Sequence, residues 1–517
     1  MEGHASLIIR SDLIFTGRTK DEIIDGFLAV DGSRICCVEE GLDFKKYTGE
    51  HTKVLDMTGK VVTPGFVDNH VFFMGYMWER VGLDVSHVGN EQELLNALKE
   101  YEVLLKIDAP MLAHGLSEDT EISKDILEEV FPDRAAVVFR ESREECCMNQ
   151  KARERFGFDE ESCYAESCYR MFRELAGDQE YAKEQYMNFQ KMLARQGVTS
   201  IKEIGFDDYY GFTDVLKELE EEGSLQHRVN LVSQPVGKGV DLEYGQAMKE
   251  KFGGDFVKFM GYNIMVDGDI ESYGGDILDR YPDEERAAED FEEPDYKGLE
   301  QAVLEADKKG FRCALHAEGD KAVRKVIDIF EKCREENGVR DARHVIIDME
   351  LIDREDIGRL KSNGITAINY VQIMNCYPQY ENYYGLKYFS EERQKTIWPY
   401  RSLLDSGVTL CWGTDLPLDV PDIPMSVCFA SERRFPDGEP EGGYNAQEAI
   451  TPGEVLAGWT YNGQKANFDE DRLGTLEKGK LADIAVLNRN IFKEHGDRLK
   501  ETKVCMTICD GKIVYQE

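Results

Sequence analysis

The sequence lacks any apolar run of about 18 residues, so no transmembrane helix is predicted. Its first residues, MEGHASLIIRSDLIF, lack the basic start and the long apolar core of a signal peptide. The chain has 13 cysteines but no CxxC pair, and their odd number and scatter favour free thiols over a disulfide framework. We therefore expect a cytoplasmic protein that does not bind a membrane.

Basic residues are scarce relative to acidic ones. Lys and Arg total 62, Asp and Glu total 101, and the formal net charge is −39. A surface this acidic repels nucleic acid, so the expected partner is a small-molecule substrate. The 517 residues, 42% of them hydrophobic, suffice for one large barrel and a second module.

Short strands with alternating apolar residues occupy both ends of the chain, whereas strands alternate with helices in the middle. The ends predict one small β-sandwich that both termini build. The expected domains are residues 1–63 and 469–517 for the sandwich and residues 64–468 for the middle. The predicted middle strands are residues 65–72, 136–141, 198–204, 256–262, 311–317, 344–350, 365–371 and 408–415. Eight such strands with intervening helices predict a (β/α)₈ barrel, and a doubly wound open sheet is the alternative.

Chemistry in a (β/α)₈ barrel takes place at the C-terminal ends of the strands. The titratable residues predicted there are His70, Glu141, Glu144, Lys202 or Glu203, Lys258, His316, Asp348, Glu350 and Asp415. Each residue taken alone is better explained by a structural role, such as a hydrogen-bonded histidine or a snorkelling lysine. Several of them in one pocket favour a shared cation, because burying polar groups without partners is costly.

Eight segments spread over nearly the whole chain carry a resemblance to a known family. They are LIFTG, VLDMTGKVVTPGFVDNHV, GVTSIKEIG, VKFMGYNIMVDG, HAEGDKAV, LLDSGVTLCWGTDLP, GTLEKGKLADIAVLN and DGKIVY. Together they resemble the amidohydrolase superfamily, in particular amidohydrolase family 3, which includes N-substituted formamide deformylases. The resemblance implies a metal-dependent (β/α)₈ barrel with a β-sandwich from both termini. It also implies hydrolysis of a carbon–nitrogen bond in an amide, a formamide or a cyclic amide.

The resemblance also implies a set of metal ligands: His70, Lys258, His316, Asp348 and Asp415. Asp415 would act as the general base toward a water that the metal activates. Lys258 would be a carboxylated ligand or a free amine. The expected cofactor is one divalent ion per chain, zinc in the first instance, with manganese or iron as alternatives.

Three positions depart from the histidines of the family pattern, namely Phe72, Glu144 and Asp348. Two of the three are carboxylates, which still bind cations, whereas Phe72 is a lost ligand. The residues expected near the substrate are Phe72, Glu144, Asn149, Asp267 and Tyr370.

Other functions stay open for the same barrel. A deaminase or an isomerase would fit it, as would a metal-free relative that binds a ligand without turnover. A homodimer is also compatible with a barrel of this class.

Overall fold

The structure is a computed structural model, and it describes most of the chain in two compact units. The described residues are 4–123, 125–141, 145–157, 169–206, 211–235, 239–283, 287 and 291–517. The main unit comprises Met1–Val71, Gln190–Phe206 and Leu219–Glu517, and the inserted unit comprises Phe72–Phe189 and Asp207–Glu218. Among the described helices, none has the length and apolar character needed to cross a bilayer.

The strands are numbered β1 to β20 in chain order. The first ten are β1 (Leu7–Phe15), β2 (Ile23–Asp31), β3 (Arg34–Glu40), β4 (Lys53–Asp56), β5 (Val61–Pro64), β6 (Phe66–Val71), β7 (Leu83–Asp84), β8 (Met111–Leu116), β9 (Ala136–Arg140) and β10 (Cys146–Met148). The second ten are β11 (Val198–Phe206), β12 (Arg228–Gln234), β13 (Val257–Met265), β14 (Arg312–His316), β15 (Val345–Ile347), β16 (Thr366–Asn369), β17 (Thr409–Trp412), β18 (Ile484–Leu487), β19 (Val504–Cys509) and β20 (Lys512–Gln516).

The α-helices are numbered α1 to α18 in the same way. The first nine are α1 (Phe73–Trp78), α2 (Glu91–Glu102), α3 (Ile126–Val130), α4 (Gln150–Phe156), α5 (Tyr169–Gly177), α6 (Gln179–Arg195), α7 (Phe212–Glu221), α8 (Leu242–Lys251) and α9 (Tyr296–Lys308). The others are α10 (Asp320–Asn337), α11 (Arg354–Asn363), α12 (Tyr384–Tyr388), α13 (Glu391–Gln394), α14 (Tyr400–Asp405), α15 (Ile423–Glu432), α16 (Pro452–Trp459), α17 (Tyr461–Ala466) and α18 (Asp497–Lys500).

The ends of these helices follow the local sequence. In α11, the side chain of Asp353 accepts a hydrogen bond from the backbone N–H of Glu355, and Gly364 ends the helix in the left-handed conformation. A side-chain oxygen at the first position and a glycine after the last turn are the usual helix stops.

The two chain termini pair in one eight-stranded sheet with the strand order β20-β19-β18-β5-β1-β2-β3, where β4 also pairs with β1. Side chains from every part of this sheet share one apolar core. Ile9, Leu28, Val62, Ile484 and Met506 are among its fully buried members. Alternating apolar residues therefore bury one face of the sheet, as the sequence predicts for the β-sandwich.

The barrel is formed by eight parallel strands in the order β6-β11-β12-β13-β14-β15-β16-β17. Its first and last strands meet: Val71 pairs with Leu416 in parallel, and the backbone N–H of Asp415 donates to the carbonyl of His70 at 2.9 Å. The predicted (β/α)₈ barrel is therefore confirmed, and the C-terminal ends of its strands lie at one end.

Two strands differ from the prediction. Residues 136–141 do not form the second barrel strand, because β9 pairs with β8 and β10 in a separate sheet of the inserted unit. The strand missing from the prediction is β12, which pairs with β11 and β13. Its sequence RVNLVSQ carries polar residues that are buried in the barrel, so its apolar run is short.

The inserted unit contains the four-stranded sheet with the order β10-β9-β8-β7. Its core includes Val85, Leu94, Leu98, Met111 and Val138, all buried. A buried parallel strand has a continuous run of apolar residues in any sheet. The sequence of β9 therefore resembles that of a barrel strand.

A buried ion pair joins the barrel to the sandwich inside the main unit. Arg228, at the start of β12, donates from Nε and Nη2 to the two carboxylate oxygens of Asp483, at 3.2 Å each. The same Nη2 also donates to Asp510 at 3.1 Å. The side chains of Arg228 and Asp483 are each only 3% exposed, so neither charge has water as an alternative partner.

We expect Arg228→Ala to lower the free energy of unfolding by about 3–5 kcal/mol, because it leaves a buried carboxylate without its partner. The matched control is Arg10→Ala, whose partner Asp56 is 62% exposed, and it should cost less than about 1 kcal/mol. Urea unfolding followed by fluorescence measures both variants. Equal effects of the two substitutions would contradict a structural role for the buried pair.

Candidate metal centre

Four residues predicted as ligands lie at the C-terminal ends of barrel strands. His70 is the penultimate residue of β6 and His316 is the last residue of β14. Asp348 directly follows β15, and Asp415 lies three residues beyond the end of β17. Because parallel strands end at the same side of a barrel, the topology brings these side chains to one region.

The side chains form two close pairs. Nε2 of His316 lies 3.4 Å from Oδ2 of Asp348 and 4.0 Å from Oε1 of Glu318. Nε2 of His70 lies 3.4 Å from Oδ1 of Asp415. Potential ligand atoms of His316, Glu318 and Asp348 all lie within 4.8 Å of one another, and all three residues are buried.

The electrostatics link the two pairs. Burial, the charge of Asp348 and that of Asp68 raise the pKa of Asp415 to about 8, against an opposing effect of His316. Burial alone would lower the pKa of His316, but the neighbouring carboxylates, above all Asp348, raise it overall. Burial, Lys202 and His316 lower the pKa of His70, which favours the neutral ring that metal binding requires.

Two further carboxylic acids lie next to this group. Burial and the charges of Asp348, Glu350 and Asp269 raise the pKa of Glu318 well above its usual value. Burial and the charge of Asp348 do the same for the pKa of Glu350, which accepts a hydrogen bond from the hydroxyl of Tyr384. Carboxyl groups packed together without water favour a bound cation or bound protons.

The backbone is strained at both aspartates that follow barrel strands. Asp348 has a φ of 55° and Asp415 a φ of 53°, the left-handed region that few residues other than glycine adopt. Asp348 is held there by a hydrogen bond from its N–H to the carbonyl of Ile368, and Asp415 by the bond to His70. Strain of this kind concentrates at functional sites, where it aims a side chain.

The donor set fits a divalent metal ion. Two imidazoles and the carboxylates of Asp348, Asp415 and Glu318 are the ligands that zinc, manganese and iron bind. Two polar atoms of the site are buried without a hydrogen-bond partner within the described residues, Nδ1 of His316 and the hydroxyl of Tyr370. The Tyr370 ring lies 5.5 Å from the His70 ring, centroid to centroid. The residues present therefore fit a metal together with a further polar ligand.

Lys258 does not lie with this group. It is the second residue of β13, near the N-terminal end of the strand, and its Nζ pairs with Oδ1 of Asp469 at 2.5 Å. The ion pair with Asp469 accounts for its charge, so we leave Lys258 out of the ligand set. The signal that suggested it, a lysine on the fourth strand, did not distinguish one end of the strand from the other.

Asp267 accepts hydrogen bonds from the backbone, and its predicted place near the substrate stays a prediction. Its carboxylate accepts hydrogen bonds from the N–H groups of Asp276, Glu318 and Gly319, at 2.8–3.0 Å. Burial raises its pKa to about 6 against these bonds. Asp267 therefore fixes the turn after β14 that carries Glu318.

Three other residues predicted near the substrate, Phe72, Glu144 and Asn149, belong to the inserted unit or are not described. Asn149 caps α4. Within the described residues, its side-chain amide bonds backbone groups of that unit, those of Phe131, Arg134, Ala136 and Ala152. Phe72 is half-buried and precedes α1. Glu144 lies outside the described residues. Their part in substrate binding stays a prediction.

Glu318 is the site residue that the sequence analysis did not single out. It lies two residues after His316 in HAEGD, on the turn that follows β14. Alternation of side chains along a strand would aim it to the same side as His316. That spacing was the available signal.

A second group of potential ligands, Asp307, Cys333 and His344, lies at the opposite ends of the strands. His344 accepts the backbone N–H of Cys313 at Nδ1, so its Nε2 carries the proton that it donates to Asp307 at 3.0 Å. Arg340 and Asn337 also donate to Asp307. A carboxylate already paired with a guanidinium is a structural anchor, and we assign no metal to this group.

Most of the chain is similar to known proteins. A family model described as "Amidohydrolase family" matches residues 53–515. YtcJ of Bacillus subtilis (strain 168) is 23% identical over 504 residues, which cover 92% of each chain. The N-substituted formamide deformylase of Arthrobacter pascens is 28% identical over 220 residues, or 41% of this chain and 38% of that one. An uncharacterized metal-dependent hydrolase from Pyrococcus horikoshii OT3 shares the fold, with a TM-score of 0.75, 18% identity, and coverage of 94% of this chain and 98% of that one.

We expect Asp348→Asn to weaken zinc binding at least about tenfold, because it removes a charged donor. Asparagine tolerates the left-handed backbone, so the variant should fold. Elemental analysis after dialysis against limiting zinc measures the effect. Asp510→Asn is the matched control, since Asp510 has the same backbone conformation (φ 53°) in the sandwich. A similar zinc content in Asp348→Asn and wild type would remove Asp348 from the ligand set.

The anchor around Asp307 predicts a pH-dependent contribution to stability. Burial acts to raise the pKa of Asp307, but hydrogen bonds from His344 and Asn337 lower it to about 2. A carboxyl group whose pKa is lowered by folding stabilises the fold at a pH above its ordinary pKa of about 4. This contribution is lost as the pH falls from about 4 toward 2. Thermal unfolding should therefore show Asp307→Asn less stable than wild type at pH 7, with a difference that narrows below pH 4. A difference independent of pH would contradict this assignment.

Proposed function

The chain belongs to the amidohydrolase family, and on that premise we propose that it is a metal-dependent hydrolase that cleaves a carbon–nitrogen bond in a small molecule. The observation that carries the proposal is the buried group of His316, Asp348 and Glu318 beside the His70–Asp415 pair. Amides and formamides are the proposed substrate class, which the similarity to a named formamide deformylase supports.

The proposed ligands are His70, His316, Asp348 and Asp415, with Glu318 close enough to join them. Zinc is the proposed metal, because two imidazoles and carboxylates suit it. A divalent ion held there would supply Lewis acidity, which makes a water molecule more acidic and polarises a carbonyl group. The strand ends and the strained backbone of Asp348 and Asp415 hold the ligand side chains in position. These side chains therefore move little when the ion binds.

Asp415 is the proposed general base. Its side chain is 28% exposed, whereas that of His70 beside it is 2% exposed, so Asp415 is the more accessible member of the pair. One carboxylate oxygen takes the proton from the attacking water and then delivers it to the leaving nitrogen. A base whose pKa lies near the working pH performs both steps.

Tyr370 is the proposed donor to the substrate carbonyl. Its hydroxyl is buried and has no partner within the described residues, and burial together with Asp415 and Asp348 raises its pKa well above the usual value. It therefore keeps its proton and can donate a hydrogen bond to an oxygen that gains negative charge.

Deamination is the second candidate reaction. Burial and neighbouring carboxylates raise the pKa of Glu318 and of Glu350, which favours the protonated form of each. A protonated carboxyl beside the site can donate to a leaving amine or to a ring nitrogen. Comparing formate release from formamides with ammonia release from aminated heterocycles separates the two reactions.

We expect Asp415→Asn to reduce hydrolysis of N-benzylformamide by about 10²–10⁴-fold, because it removes the proton acceptor. Formate release measures the loss, and circular dichroism checks the fold. Asp405→Asn, which changes an exposed carboxylate before β17, is the control and should keep wild-type activity. If Asp415→Asn keeps more than about a tenth of the activity, another group is the base.

The activity should also rise with pH as the base loses its proton. Because Asp68 raises the pKa of Asp415, we expect Asp68→Asn to move this rise to lower pH. The pH dependence of kcat measures the shift in the enzyme–substrate complex. An unchanged profile, or a rise displaced to higher pH, would contradict the proposed coupling of Asp68 and Asp415.

A further inference from the structure

A cavity of about 790 Å³ lies wholly within the inserted unit. Most of its lining comes from the end of α2, the loop that joins α2 to β8, the end of α4, helix α5 and the first turn of α6. None of the proposed metal ligands is among the residues that line it. Ligand pockets in proteins have volumes of about 300–1,000 Å³, so this cavity has room for a small molecule.

Apolar side chains make up much of the lining, among them Leu104, Ile107, Phe156, Met171 and Leu175. Two of them are open to water, since Leu104 is 78% exposed and Ile107 is 90% exposed. Large apolar side chains that are exposed together around a concavity mark a binding site, whereas single scattered ones do not. The lining therefore favours a ligand that buries apolar surface.

Polar bonds hold the loop between α2 and β8 in place around the cavity. Nη1 of Arg134 donates to the carbonyls of Lys106, at 3.1 Å, and of Ala109. Nη1 of Arg155 donates to the carbonyl of Asp108 at 2.9 Å. These bonds do not involve the apolar side chains, so the cavity is formed before a ligand arrives. A ligand that enters a formed cavity loses little affinity to ordering of the protein.

The charges around the cavity favour an uncharged ligand. Nε of Arg155 donates to Oε2 of Glu174 at 2.9 Å, and its Nη2 pairs with Oε1 of the same carboxylate. The guanidinium therefore needs no anion from outside. The net charge of −39 repels anionic molecules and a second copy of the chain. An uncharged molecule meets neither obstacle.

We propose that this cavity of the inserted unit binds one uncharged, largely apolar small molecule, which covers Leu104, Ile107 and Leu175. The site is separate in sequence and in lining from the proposed metal centre, so it stands or falls independently of the proposed reaction. The ligand binds the folded chain and not the unfolded one, so it also stabilises the fold.

The first test titrates the full chain with N-phenyl-1-naphthylamine, an uncharged apolar dye whose fluorescence rises when it leaves water. We expect saturable binding of one dye per chain. Leu104→Asp should weaken that binding at least about tenfold, because it sets a charge against an apolar ligand. The variant should fold, since Leu104 is exposed. Val103→Asp is the matched control: Val103 is 84% exposed on the same loop but does not line the cavity, so the affinity should stay that of wild type.

The second test needs no variant. Crystals of the wild-type protein soaked in 1-bromonaphthalene should give an anomalous bromine peak in the cavity, beside Leu104 and Leu175. The proposal is overturned by the absence of saturable dye binding in wild type, or by equal weakening in Leu104→Asp and Val103→Asp. It is also overturned if no bromine lies in the cavity, whether the cavity is empty or is filled by part of the chain itself or by a second copy.

Discussion

The repulsion among buried carboxyl groups at the C-terminal end of the barrel is the constraint on which the site depends. The charge of Asp348 raises the pKa of Glu318, of Glu350 and of Asp415. Nε2 of His316 lies 3.4 Å from Oδ2 of Asp348. Such a group is stable only if protons or a cation neutralise it. The ligand set, the raised pKa of Asp415 and the partnerless polar atoms of His316 and Tyr370 are consequences of one arrangement that a divalent ion completes.

The scaffold holds that arrangement against its own strain. Hydrogen bonds from Asp348 to Ile368 and from Asp415 to His70 fix two left-handed aspartates at strand ends, and the second of these bonds also closes the barrel. Asp267 holds the turn that carries Glu318. At the other end of the barrel Asp307 is paired with Arg340 and His344. A carboxylate held by such partners contributes to the stability of the fold.

The sequence was sufficient for the barrel and for the strand ends that carry His70, His316, Asp348 and Asp415, because buried parallel strands and their polar termini leave a clear pattern. It was not sufficient where two structures share that pattern. The apolar run of β9 is equally suited to a sheet of the inserted unit, and the polar interior positions of β12 hid a true barrel strand. The sequence placed Lys258 on a barrel strand but did not show at which end of that strand it lies. The structure places it near the N-terminal end, in an ion pair with Asp469.

Anomalous diffraction at the zinc absorption edge tests the central claim most directly, on crystals of protein purified without chelator and supplied with zinc. The account predicts a peak within about 2.0–2.2 Å of a nitrogen of His316 and of a carboxylate oxygen of Asp348. A map without a peak in that group, from protein that elemental analysis also finds free of bound metal, would contradict the account.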